Sequence, residues 1–136
     1  MREFFFTLIF ATCLSCSVPT NNNADSSVGT ANAIIVFNEY EHNFGKVEEG
    51  KKVKYTFTFE NKGSGSLVIQ SVTTSCGCTV PKYNRKPVAP GKGDKLEVEF
   101  DTSDRDGMQG KTIIVKSNAT TPVVNLRIMA EVTKAM

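Results

Sequence analysis

Apolar residues recur at every second position through much of this chain, and that spacing constrains its fold more tightly than any motif. Val53, Tyr55, Phe57 and Phe59 fall on one side of an extended segment, with Lys54, Thr56 and Thr58 on the other. A strand sends successive side chains to opposite faces, so this pattern describes a strand with one face on a core and one in water. Leu96, Val98 and Phe100 alternate with Glu97 and Glu99 in the same way. Val124, Leu126, Ile128, Ala130 and Val132 repeat the scheme near the C-terminus. Leu67-Val68-Ile69 and Ile113-Ile114-Val115 are apolar on both sides and are expected in more central, better covered strands. After the N-terminal leader, no stretch sustains a helical period.

Turn-forming residues fall between these runs. Asn61-Lys62-Gly63-Ser64-Gly65-Ser66 separates two strands, Pro87 to Asp94 separates two more, and Asn118 to Pro122 closes a hairpin-like link. Thr102 to Gly110 reads as a longer polar loop. About seven short strands with turns at this spacing predict an all-β, immunoglobulin-like antiparallel β-sandwich over residues 34–136, a closed barrel being the competing architecture. There is no Trp, so the core rests on Phe, Tyr, Val, Ile and Leu.

The N-terminus addresses the chain to the cell envelope. Arg2 precedes an apolar run from Phe4 to Ala11 that is too short to span a bilayer, and small Ser15 stands before Cys16. Leu14-Ser15-Cys16 resembles a bacterial lipoprotein signal over residues 1–15, although Cys13 occupies a place that is usually aliphatic. That resemblance implies cleavage before Cys16 and lipidation of its thiol, an anchor that several acyl chains would hold stably in a membrane. An ordinary secretory signal cut near Ser15 or Ser17 is the alternative. Ser17, rather than Asp, after the cysteine resembles the sorting pattern of known lipoproteins, and that resemblance implies the outer membrane of a two-membrane bacterium. Residues 16–33 are polar, nearly uncharged and aperiodic, and are expected to act as a flexible tether.

A formal net charge of +2 with interspersed signs gives no basic stripe, and Glu48-Glu49 directly precede the lysines at 51, 52 and 54. No nucleic-acid partner is expected from such a surface.

Several short elements together carry a family resemblance. They are His42-Asn43-Phe44-Gly45-Lys46-Val47, Asn61-Lys62-Gly63, Ser75-Cys76-Gly77-Cys78-Thr79 with Pro81, Pro87, Pro90-Gly91, Phe100-Asp101-Thr102, Gly110-Lys111-Thr112 and Ser117-Asn118. Over about residues 37–132 the chain resembles the domain-of-unknown-function 1573 family, small exported immunoglobulin-like domains often found on lipoproteins. The resemblance implies fold and export; the family brings no activity with it. A wider likeness to sandwich domains that serve as binding platforms is analogy of fold alone.

Cys76 and Cys78 would be the only thiols left once the leader is removed and Cys16 is acylated. Positions i and i+2 of a strand lie roughly 6.6 Å apart, near the upper limit for a disulfide, and Gly77 offers conformations that shorten the span. Four readings stay open: inert thiols in a tight turn with Gly77 serving backbone geometry, a local disulfide, a redox-exchange pair, or a soft-metal pair for an ion such as Cu(I). No Lys, Arg or His adjoins the pair in sequence to depress a thiol pKa. Zinc would need two further ligands, and His42 is the only histidine.

His42 itself reads as a structural residue at a bend or sheet switch. Asp101, Asp104 and Asp106 with Arg105 read as a solvated loop rather than a calcium site, because the twelve-residue spacing is missing. No nucleophile elbow or phosphate loop is present. The expectation is a membrane-tethered module that binds an unidentified protein partner and has no catalytic residues. Its interaction surface is placed at the end loop of Ser75, Gly77, Thr79 and Pro81 around Cys76 and Cys78.

Overall fold

A computed structural model of the chain describes residues 32–136. The alternating runs become eight strands: β1 (Ile35–Phe37), β2 (Glu41–Glu48), β3 (Lys52–Asn61), β4 (Ile69–Thr74), β5 (Thr79–Tyr83), β6 (Gly93–Asp101), β7 (Gly107–Ser117) and β8 (Val123–Thr133). They form two four-stranded sheets, ordered β1-β3-β6-β5 and β2-β8-β7-β4. This is the expected immunoglobulin-like sandwich. Every pairing is antiparallel except β2 with β8, which is parallel. The leader, Cys16 and most of the expected tether lie outside the described residues.

The inward parity of each strand holds. Phe57, Val98 and Leu126, from three strands and both sheets, are each at most 1% exposed and belong to one core with Leu96, Phe100, Ile113, Val115 and Ile128. Burial of side chains of this size stabilises by roughly 1.5–3 kcal/mol each before the entropy of ordering is set against it. Packing begins ahead of Ile34, because Ala33 is buried and its carbonyl accepts the Thr120 N–H at 2.9 Å.

The N-terminal segment explains why there are eight strands rather than about seven. It pairs with β3 as β1, then changes sheet between Phe37 and Glu41 and runs beside β8 as β2. The register shifts between Asn43 and Lys46, where Gly45 takes φ 70° and donates its N–H to Asn43 Oδ1. His42 therefore stands just before a bulge, and its ring stacks on Tyr55 with centroids 3.5 Å apart.

Two local expectations differ from the fold. Ile113-Ile114-Val115 sits in β7, an inner strand, but Leu67-Val68-Ile69 does not form a central strand. Leu67 exchanges backbone hydrogen bonds with Val88 across the end of the sandwich, and only Ile69 enters β4, an edge. The run is apolar because it seals the end of the core while crossing between sheets, with Leu67 fully buried. The polar loop after β6 is also shorter than expected, since β7 begins at Gly107.

Candidate functional site

β4 and β5 are the edges of opposite sheets on one flank of the sandwich, and Ser75 to Cys78 carries the chain between them. Ser75 continues the β4–β7 pairing, its N–H donating to the Thr112 carbonyl at 3.0 Å and its Oγ accepting from the Thr112 N–H. The Cys76 carbonyl accepts from Thr74 Oγ1 at 2.8 Å and, more weakly, from the Thr79 N–H at 3.4 Å. On the far side, the Cys78 carbonyl accepts the Asp101 N–H at 2.9 Å. The corner is thus tied to both sheets by backbone and hydroxyl groups.

Cys76 and Cys78 are joined as a disulfide with Cα atoms 5.3 Å apart. Both are half-buried, and Thr79 Oγ1 lies 3.9 Å from each sulfur. Gly77 is not in the left-handed region, and a Cβ placed on it would meet nothing within 4 Å. Backbone conformation and crowding therefore do not require glycine here, contrary to the expectation that it serves the geometry of the turn. The space at its Cα is open to atoms other than those of its two cysteine neighbours.

Thr79 and Pro81 belong to β5 rather than to a loop. In an antiparallel ladder, alternate residues turn their polar backbone groups toward and away from the partner. The Asp101-to-Cys78 bond sets that phase, so Val80 and Lys82 bond to β6 while Thr79, Pro81 and Tyr83 face outward. The Thr79 N–H and C=O are taken by Cys76 and by Thr74 Oγ1, and Pro81 has no N–H. Pro81 blunts this edge against pairing with another strand. The side chain of Val80 stands out on the outer face, 48% exposed.

A cleft of about 330 Å³ opens beside the disulfide, lined by Gly77, Cys78, Val80, Lys52, Asp101 and Arg105 among others. Its charges come from distant parts of the chain. The β3–β6 register sets Lys52 opposite Asp101, and Lys52 Nζ lies 3.8 Å from Asp101 and 3.9 Å from Glu99. Lys54 approaches Glu99 at 3.2 Å. Hydrogen bonds from Ser103, then the nearby Lys52, hold the Asp101 carboxyl below the usual carboxylate range. Both carboxylates are thus answered by lysines. Arg105 is not: among the described residues it forms no ion pair, and its Nε is buried without a hydrogen-bond partner. It is carried by the short turn after β6, where Asp104 takes φ 57° and the Arg105 N–H donates to the Thr102 carbonyl.

The expectation for Arg105 is a solvated loop with Asp101, Asp104 and Asp106; its Nε is instead buried, and the fold, not sequence adjacency, brings it into one cleft with Cys78. The other candidates lie elsewhere. His42 is on β2, at the opposite edge of its sheet from β4. Asp106 is near Lys134, at 4.0 Å, rather than with Asp101. Among the described residues, no group of three or more His, Cys, Asp or Glu side chains is placed to hold a metal ion.

Solved structures of the same shape give the fold alone. A protein of unknown function from Porphyromonas gingivalis W83 matches with a TM-score of 0.67 at 19% identity, covering 80% of this chain and 51% of that one. This chain thus spans about half the length of that protein. The ASH/PapD-like domain of human CEP192 matches at 0.62 with 9% identity, covering 75% of this chain and 87% of that domain. The secreted serine protease VesC from Vibrio cholerae matches at 0.57 with 13% identity, over 79% of this chain and 24% of the protease. No curated protein matches the sequence. The family model for a protein of unknown function, DUF1573, matches residues 35–132, nearly the whole sandwich, and the chain belongs to that family.

Proposed function

We propose that this chain is a lipid-anchored protein of the bacterial envelope that works by binding, with the Ser75–Pro81 corner and the cleft beside it as its contact surface. One observation carries the reading: Arg105, which has no ion pair among the described residues and a buried Nε without a hydrogen-bond partner, shares a cleft with Cys78 of the disulfide and with exposed Val80. A buried donor without an acceptor is costly to leave unmade, and a partner's anionic or carbonyl group would satisfy it. Pro81 disfavours backbone pairing along β5, so side chains and the corner make the contact. Sandwich domains commonly place such contacts on end loops held by a rigid scaffold.

Photo-crosslinking in intact cells tests the surface. A crosslinker replacing Val80 should trap a discrete product that one replacing Val123, exposed on β8, does not. Equal trapping at the two positions removes the reading. The anchor is tested by Cys16→Ala and cell fractionation, and a protein still firmly in the membrane removes it.

A second reading, thiol exchange or Cu(I) handling by Cys76 and Cys78, is favoured by the open space over Gly77. Mass spectrometry with and without reductant separates its forms. Reversible loss of two hydrogens marks the disulfide, a stoichiometric copper adduct marks the metal site, and two unreactive thiols end the reading.

A further inference from the structure

We infer that the cleft is a thiol–disulfide exchange site that selects thiols carrying a negative charge close to the sulfur. The inference rests on the thiol reading of Cys76 and Cys78, not on the binding reading. Three placements support it. Cys78 lines the cleft and Cys76 does not, so of the two cysteines Cys78 is the one an entering thiol approaches. Arg105 lines the same cleft with its charge unanswered among the described residues, while Lys52 is held by Glu99 and Asp101. Thr79 Oγ1 stands 3.9 Å from both sulfurs, where its O–H can donate to whichever one becomes a thiolate.

The exchange balances without any further co-reactant than the thiols themselves. A thiolate of the partner attacks Cys78 Sγ, forming a new S–S bond as the Cys76–Cys78 bond breaks. The electron pair of the broken bond leaves on Cys76 Sγ, beside the Thr79 hydroxyl, and that sulfur then takes a proton from water. A second thiolate, from the same dithiol or another molecule, attacks the partner's sulfur in the mixed disulfide and releases Cys78. The partner leaves as a disulfide, oxidised by two electrons, and the Cys76–Cys78 pair remains as a dithiol, reduced by two. A disulfide that closes so small a loop gains little from chain entropy, so its opening is not opposed by a large loss of constraint. The guanidinium lowers the barrier only for thiols whose carboxylate reaches it, by a charge-assisted hydrogen bond.

The experiment measures reduction of the oxidised full chain by mercaptoacetate and by cysteamine, small thiols of opposite charge, with the mixed disulfides followed by mass spectrometry. Taking the ratio of the two rates in wild type over that in Arg105→Met cancels the intrinsic reactivity of each thiol. We expect this ratio of ratios to favour mercaptoacetate by roughly three- to tenfold and to shrink as salt is raised. Thr79→Val should slow both thiols alike, and Thr79→Ser should restore the rate. A ratio of one overturns the selectivity and leaves the thiol reading standing. A pair that remains two free thiols in oxidising buffer overturns both.

Discussion

The backbone N–H of Asp101 donates to the carbonyl of Cys78 at 2.9 Å, fastening the disulfide corner to the end of β6. Cys76 is held separately, by Thr74 Oγ1 and by the Thr79 N–H. The corner therefore keeps its path without the sulfur bridge. A cross-link over so few residues is worth roughly 1.5 kcal/mol on the chain-entropy scale. Cys76→Ser with Cys78→Ser is expected to unfold cooperatively in urea with a loss of about 1–2 kcal/mol, its partner capture or thiol chemistry gone. A loss above about 4 kcal/mol would make the bridge a structural staple.

Asn61 is fully buried, and both ends of its amide are used. Nδ2 donates to the carbonyls of Gly65 and Val88 at 2.7 and 2.9 Å, and Oδ1 accepts from the N–H groups of Gly63 and Ile34 at 3.0 and 3.3 Å. One side chain thus gathers the β3 end, the crossover and the turn before β6. Asn61→Ala strands these backbone groups and is expected to cost about 2–4 kcal/mol by urea titration. Asn61→Asp should cost at least as much, because it removes both donors and buries a charge.

Asn61 also marks how far the sequence could be followed. Phe57, Phe59 and Asn61 share the inward parity of β3, and Phe100 and Thr102 share that of β6. A polar residue at an inward position is the sign of a buried clip. Thr102 Oγ1 meets the Glu48 and Lys51 carbonyls at 2.9 and 2.8 Å in the same manner. Strand faces were legible because period-two burial is local. The sheet switch before Glu41 was not, since β1 and β2 differ by pairing partner rather than by pattern. The company of the disulfide was hidden for a related reason. Lys52 and Arg105 share a cleft with Cys78 only through the register of β3 with β6 and the turn after it.

Two glycines of the family elements should answer the same substitution oppositely. A Cβ on Gly63 would lie 2.0 Å from the Asn32 carbonyl oxygen, and the backbone there has no room to yield without opening the Asn32 contacts with Ser64 and Gly65. Gly63→Ala is expected to destabilise by about 2 kcal/mol or more. Gly77→Ala meets nothing and should be neutral, or stabilising by about 0.4–1 kcal/mol through the unfolded chain. If glycine at 77 keeps the disulfide open to partners, Gly77→Ala should slow its reduction while leaving the melting temperature in place. Unchanged reduction would detach that glycine from access.

On the opposite flank, Tyr55 donates its phenolic O–H to Glu39 Oε2 at 2.6 Å while His42 stacks on its ring. That hydrogen bond, then desolvation and the repulsion of the Glu39 charge, raise the Tyr55 pKa above its ordinary value of 10.0. The neutral phenol is the form the fold favours. Its contribution is therefore complete below the unfolded pKa and is lost as pH rises through the higher folded one. The phenol is near the surface, so the effect belongs in a titration rather than in a stability figure. With Tyr40 and Tyr83 changed to Phe, the phenolate absorbance reports Tyr55 alone. Its midpoint should lie above 10.0 and fall back toward that value in Glu39→Ala. A midpoint that Glu39→Ala leaves where it was would mean that the carboxylate does not hold this proton, and that stacking by His42 alone orients the ring.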